Sequence, residues 1–192
     1  MMKTKDIDIR KSLHYLLHNE HKDEPDTLIL DELPLCQGDA RIDVAVVNGA
    51  INGYEIKSES DTLARLPLQS AFYNRVFDNV TILTASKFVD GIKDIIPDWW
   101  GITQAEKEED GLIHFFVLRE PQKNQDVDAL SVAQLLWRDE ALSILKERGL
   151  QKGLLSKPRS FLWSALAENL PLSELQDEVR KKLKTRANWR AH

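Results

Sequence analysis

The stretch 41–58, RIDVAVVNGAINGYEIKS, narrows the fold more than any other part of the chain. Two short alternating runs flank two Asn-Gly pairs, the pattern of a β-hairpin. Side chains alternate along a strand, so Arg41, Asp43, Ala45 and Val47 fall on one face, and Ile42, Val44 and Val46 on the other, which must be core. On the returning strand Glu55 and Lys57 share a face, opposite Tyr54 and Ile56. Directly opposed residues of an antiparallel pair lie on the same side of the sheet. Asp43 therefore joins Glu55 and Lys57 only when paired residue numbers sum to an even value. A three-residue turn that pairs Val47 with Ile51 sets Asp43 opposite Glu55. A two-residue Asn48-Gly49 turn would separate them unless a bulge intervened. The expectation is an odd-length turn or a bulge.

In that register the two carboxylates have Cβ atoms roughly 5 Å apart. Two negative charges at about that distance repel by on the order of 3 kcal/mol at an effective dielectric of 20. A proton or a cation must hold them together. Lys57 supplies part of the compensation, and a divalent ion would supply more. Hard oxygen ligands with open positions suit Mg²⁺ or Mn²⁺. Such an ion can polarise a phosphodiester and generate a nucleophilic water, which a nearby lysine can orient. The plainer reading of the same charges is a salt-bridge cluster on a hairpin surface.

The flanking chain reads as an α/β core. Residues 9–19 have helical spacing at Ile9, Leu13, Leu16 and Leu17, with Asp8 placed to cap the start. His14 and His18 lie four apart, a spacing that can bind metal, but no third ligand of matching spacing accompanies them. Residues 27–35 form a strand ended by Pro34, with Glu32 near its end. After the hairpin, Pro67 opens a helix over 67–77, on which Gln69 and Tyr73 share one face. A strand at 79–85, a short helix at 87–96 and two strands near 100–104 and 112–120 complete the order. The polar run 120–128 marks a boundary, giving a core over 1–122 and an all-helical segment over 123–192.

An acid on one strand, Glu55-Ile56-Lys57 on the next, then a helix and a further strand together resemble the PD-(D/E)XK nuclease superfamily. Here the motif stands as Ile42-Asp43 followed by Glu55-Ile56-Lys57, without the proline of the family name. Gln69-Ser70-Ala71-Phe72-Tyr73 is similar to the Q-x-x-x-Y helix motif of the RecB-like branch. The resemblance covers about residues 7–120. It extends to small bacterial members, some linked to DNA repair. It implies a restriction-endonuclease-like mixed sheet flanked by helices, and a Mg²⁺- or Mn²⁺-dependent deoxyribonuclease. Asp43 and Glu55 would bind the metal, with the Ile56 backbone carbonyl as a further ligand. Lys57 would position the attacking water, Glu32 would complete the site, and Gln69 and Tyr73 would contact nucleic acid or brace the site. Arg41, Ser58, Asp61 and Arg65 are second-rank candidates. The alternative is a non-catalytic nucleic-acid-binding or adaptor protein that keeps the nuclease fold.

Charge distribution bears on the partner. Residues 1–140 carry 15 Lys/Arg against 26 Asp/Glu, whereas residues 141–192 carry 11 against 5. An acidic body with a basic helical end fits a polyanion such as DNA, or an ordinary solvated surface. The pattern ALSILKERGL, then QKGLLSKPR, then SFLWSALAENL is faintly similar to small SAP-type DNA-binding modules. In that reading Lys152, Lys157 and Arg159 face phosphates, aided by the tail 180–190. The rival reading is a helical cap on the core, with Trp137 and Trp163 as core residues. One cysteine, Cys36, allows no intramolecular disulfide. With no apolar leader at the N-terminus and no long apolar run, cytoplasmic residence is the expectation.

Overall fold

The computed structural model describes residues 3–109 and 111–186. One six-stranded sheet runs β1 (Leu28–Leu35), β2 (Ala40–Val47), β3 (Ile51–Lys57), β4 (Asn79–Thr84), β5 (Gly101–Lys107) and β6 (Ile113–Arg119), in chain order across the sheet. The first three strands form an antiparallel meander. β3, β4 and β5 are parallel, and β6 returns antiparallel at the far edge. The architecture is thus a mixed α/β sheet flanked by helices, followed by C-terminal helices.

Helix α1 (Asp6–Glu20) lies on one face of the sheet. Its Ile9, Leu13 and Leu17, spaced for one helical stripe, pack on Val44, Val46, Ile56, Leu83 and Ala105. Burying each such side chain is worth roughly 1.5–3 kcal/mol. Asp8 does not cap this helix, because the helix starts earlier; the acid sits in its first turn, bonded to Lys107 at 2.8 Å.

The other face is covered by α2 (Leu66–Tyr73), α4 (Ala129–Ala133), α5 (Arg138–Glu147), α6 (Arg159–Asn169) and α7 (Leu172–Thr185). Leu162, Trp163, Leu166, Leu175, Val179 and Leu183 share one buried cluster with Ala45, Val47, Ile51, Val80 and Ile82 of the sheet. The C-terminal helices therefore complete the sheet's second face. The short α3 (Val89–Lys93) follows a 3-10 turn at Ser86–Phe88, in place of one helix over 87–96. Gly91 sits inside it and weakens the helix.

Two further expectations change. Pro34 does not end β1; it pairs with Arg41 inside it. β1 is an edge strand, where a missing N–H costs no ladder bond. Helix α2 stops at Tyr73 rather than running to 77. Past its end, the buried Asn124 side chain donates to the carbonyls of Asn74 (2.7 Å) and Phe77 (3.0 Å). Trp100 Nε1 meanwhile binds Asn74 Oδ1. These bonds hold the chain in a non-helical turn beneath β3. There, Gly53 leaves room for the Phe77 ring, which a Cβ would meet at 3.1 Å.

Candidate active site

The hairpin turn has the required parity. Val47 pairs with Ile51 across Asn48, Gly49 and Ala50, and the ladder continues to Val44–Tyr54. There it stops, one step short of Asp43 and Glu55. Beyond that point β2 and β3 part, and the Asp43 carboxylate enters the fork. Its Oδ2 accepts the backbone N–H of Ile56 at 2.7 Å. The acid thus sits on the peptide between Glu55 and Lys57.

The same level is irregular on the other side of β2. Asp31 pairs with Val44 and Leu33 with Ile42, but the intervening Glu32–Asp43 pair is skipped. Glu32 has φ 56°, the left-handed region, which is unusual for a residue with a side chain. The break alters strict alternation in both strands. Leu30 and Leu33 face the same cluster, and Ile42 lies in the opposite cluster from Val44 and Val46. The expectation that Ile42, Val44 and Val46 share a face is therefore wrong at Ile42, because the chain turns at Asp43. For the same reason Asp43 lies in the fork, rather than standing on the Glu55 face as a regular strand would place it.

Glu55 is 1% exposed and points toward α2. Its Oε1 accepts Lys57 Nζ (2.5 Å) and Gln69 Nε2 (2.7 Å). Its Oε2 lies 2.7 Å from the Tyr73 hydroxyl, which also lies 2.6 Å from the Arg41 carbonyl and has one proton to share. Lys57 Nζ makes a second bond to Gln69 Oε1 at 3.1 Å. Gln69 Nε2 also reaches the Tyr73 hydroxyl. The four-residue spacing of Gln69 and Tyr73 thus brings both onto one carboxylate. Burial, then the charge of Glu55, raises the Tyr73 pKa, so its hydroxyl stays protonated.

Asp43 shows the strain of this crowding. Burial, then the nearby Glu55, raises its pKa to about 7. A pocket of about 380 Å³ opens beside it, lined among others by Glu32, Arg41, Asp43, Arg65 and Gln69. Glu55 and Lys57 do not line it; Gln69, which touches both, stands between them and the pocket.

Sequence reasoning missed Arg10. This residue of α1 reaches the fork from the other face of the sheet. Its Nη2 lies 3.0 Å from both Asp43 Oδ1 and Glu32 Oε1. Its Nη1 donates to the Asp43 carbonyl at 2.7 Å. Asp6 (3.2 Å) and Asp31 (3.5 Å) contact it from outside. Arg10 lies one turn before His14, on the same stretch of helix; that i, i+4 spacing was the available signal. His14 itself binds Asp31 at 2.7 Å, and His18 Nδ1 meets the His14 carbonyl.

These positions bear directly on metal binding. Both Asp43 oxygens and both Glu55 oxygens already have protein partners within 3.0 Å. Ile56 turns its N–H, a donor, toward Asp43. Among the described residues, no group of three or more His, Cys, Asp or Glu side chains is arranged to hold a metal ion. The donors are hard oxygens of the right chemistry, but as arranged they do not form a cradle for Mg²⁺ or Mn²⁺.

The remaining candidates are dispersed. Arg65 is exposed at the pocket, and Arg41 is exposed with Nη1 3.6 Å from Glu32. Asp61 caps the turn after β3, accepting both the N–H and the hydroxyl of Ser58. Lys152 is exposed, and Lys157 lies over the Phe161 ring. Arg159 reaches Gln37 at 3.3 Å, in the turn leading into β2, and lies over the Trp163 ring. Trp163 is core, donating to the Leu136 carbonyl. Trp137 is 39% exposed beneath Arg186, so it is not the core residue expected. Of the basic tail, 187–190 lie outside the described residues. Among the described residues, no helix is long and apolar enough to cross a membrane.

A family model described as Bacteriophage P4 protein cII matches residues 6–191. Protein cII of Enterobacteria phage P4 is 23% identical over 161 residues, 84% of this chain and 60% of that protein. The chain therefore spans less than two thirds of that relative's length. Among solved structures, a protein of unknown function from Silicibacter pomeroyi superposes with a TM-score of 0.41 at 18% identity, covering 72% of this chain and 88% of that one.

Proposed function

The chain belongs to the bacteriophage P4 protein cII family, and from its β2–β3 fork we propose that it is a metal-dependent nuclease that hydrolyses DNA phosphodiester bonds. By its motifs it would be a PD-(D/E)XK enzyme of the RecB-like type. One observation carries this reading. Glu55, Lys57, Gln69 and Tyr73 form a single hydrogen-bonded network, and Asp43 is fixed on the peptide between the first two. A surface salt-bridge cluster does not bury a lysine and a glutamate this deeply, one side chain behind a pocket that Asp43 and Gln69 line.

The chain's own residues divide the work. Lys57, held by Glu55 and Gln69, would orient an attacking water once Gln69 gives way. Asp43, raised to about 7, can hold a proton at its carboxylate near neutral pH. Arg41 and Arg65 at the pocket, together with Lys152, Lys157 and Arg159 of the C-terminal segment, would hold the phosphate backbone. Mg²⁺ or Mn²⁺ is the cofactor this reading requires, and the carboxylates must exchange partners before they can take one.

A second reading, a non-catalytic nucleic-acid-binding protein on the same fold, draws on a specific observation: every Asp43 and Glu55 carboxylate oxygen already has a protein donor. One experiment separates the two. Purified protein is incubated with single-stranded, duplex, nicked and branched DNA in Mg²⁺ and Mn²⁺, beside Lys57→Ala. The nuclease reading expects metal-dependent cleavage, reduced at least about 100-fold in the variant while DNA affinity is kept. Binding without cleavage of any substrate favours the second reading and removes the first.

A further inference from the structure

Resting on the nuclease reading above, we propose that Arg10 is a built-in counter-cation that competes with a hard divalent cation for the carboxylates of Asp43 and Glu32. The guanidinium touches a set of oxygens that such an ion prefers: two carboxylate oxygens at 3.0 Å and the Asp43 carbonyl at 2.7 Å. A divalent ion on these oxygens would lie beside the guanidinium, and the two like charges would oppose each other there. At Asp43 Oδ1 and Glu32 the misfit of the site to a metal thus comes from one side chain on a neighbouring helix; at Asp43 Oδ2 and Glu55 it comes from the Ile56 N–H and from Lys57, Gln69 and Tyr73.

Arg10 also has a second seat. Its Nε lies 3.2 Å from Asp6 Oδ1, and its Nη1 3.5 Å from Asp31 Oδ1. Both acids are about half exposed, whereas the Arg10 side chain is only 15% exposed. Rotation off the inner oxygens leaves the charge paired with the outer two. A buried arginine held by a single carboxylate would have no such exit, and its release would strand a charge. Four carboxylates surround one guanidinium here, so the cluster retains negative charge that a divalent ion can meet.

The backbone aims one of the inner ligands. Glu32 holds a left-handed conformation at the skipped pair of β1 and β2, and its carboxylate meets Arg10 from there. A residue with a side chain keeps such a conformation at a cost of about 1–3 kcal/mol when its surroundings enforce it.

The test is metal affinity, read without substrate. Mn²⁺ is titrated into the protein, with free Mn²⁺ followed by its electron paramagnetic resonance signal and Mg²⁺ checked by calorimetry. Arg10→Gln should bind Mn²⁺ about five- to tenfold more tightly than the unaltered chain. Asp6→Asn, which weakens the outer seat, should bind it several-fold more weakly. Asp43→Asn should abolish binding in both backgrounds. If Asp43→Asn abolishes binding but Arg10→Gln leaves affinity unchanged or lower, the competition is overturned and the nuclease site stands. If neither the unaltered chain nor Arg10→Gln binds Mn²⁺, or if Asp43→Asn binds it normally, the metal-dependent reading falls and the competition with it. Thermal melts establish that each variant is folded. Should Arg10→Gln not fold, Asp6→Asn decides alone, and unchanged affinity there overturns the competition.

Discussion

Strand β3 begins and ends on an aspartate. At its start, Asp78 Oδ2 accepts the N–H of Ile51 at 2.8 Å; near its end, Asp43 Oδ2 accepts the N–H of Ile56 at 2.7 Å. The local bond is the same, and the surroundings are not. Asp78 is 5% exposed and takes Gln176 (2.9 Å) and Arg180 (3.9 Å) from α7. The acid there meets one amide and an arginine that also pairs with Asp177 on the same helix, and so ties a C-terminal helix to the sheet. Asp43 faces Glu55 within the fork and shares its arginine with Asp6, Asp31 and Glu32. One end of the strand is balanced and structural. The other carries surplus negative charge beside a pocket, which is the condition for binding something positive or taking up a proton.

The sharpest break of this comparison is catalytic. Asp43→Asn should lower DNA cleavage at least about 100-fold, whereas Asp78→Asn should leave it within a few-fold, measured as initial rates on one substrate. Equal losses would mean that both ends serve only the fold.

The next effect is pH dependence without metal. An unfolded aspartate titrates near 3.9, and Asp43 in the fold near 7. The folded state therefore binds its proton more tightly. The stability this confers is complete below about pH 4 and is lost as pH rises through 7. The drop is on the order of 3 kcal/mol, and Asp43→Asn should remove it. Urea melts of both proteins from pH 4 to 8 measure the difference. A slope shared by both would put the titration elsewhere.

Smaller in turn is the stability loss at the balanced end. Asp78→Ala leaves the Ile51 N–H and the Gln176 amide without their acceptor, and should cost about 2–3 kcal/mol in the same melts. Smallest is Gly53→Ala, midway along β3. The added methyl meets the Phe77 ring at 3.1 Å and should cost about 1–2 kcal/mol. A neutral result would mean that the ring moves freely, and that the sheet is less tightly packed between its two aspartates than the contacts imply.

Much of the balanced framework was legible in the sequence. The two Asn-Gly pairs marked the turn, and the apolar run of 79–85 marked β4; the even register followed from reading Asp43 and Glu55 as one site, with a bulge as the other way to reach it. Helical spacing put Gln69 and Tyr73 on one face, and the motif set them to contact nucleic acid or brace the site; that both meet the Glu55 carboxylate is what the fold adds. The fork itself was not legible. Strict alternation carried Asp43 onto the Glu55 face because nothing in ELPL or RIDV announces that the Glu32–Asp43 pair is skipped. A left-handed glutamate has no sequence signature of the kind glycine gives. Arg10 was hidden for another reason. It stands 33 residues before Asp43, on a helix read only for its apolar stripe, and it reaches the fork around the open end of the ladder. Asp78 was silent likewise, because its partners Gln176 and Arg180 come from the far end of the chain.

The three-residue turn at Asn48–Ala50 carries a consequence for how this chain can change. Its residues are replaceable wherever a substitute can follow the same backbone path. Its length is not. Gain or loss of one residue would hand Glu55 and Lys57 to α1 and present Tyr54 and Ile56 to α2, exchanging the two sides of a strand that is covered on both. Two residues gained together would keep the sides. Growth at this loop is thus open in even steps, and in odd ones only where a bulge takes up the extra residue.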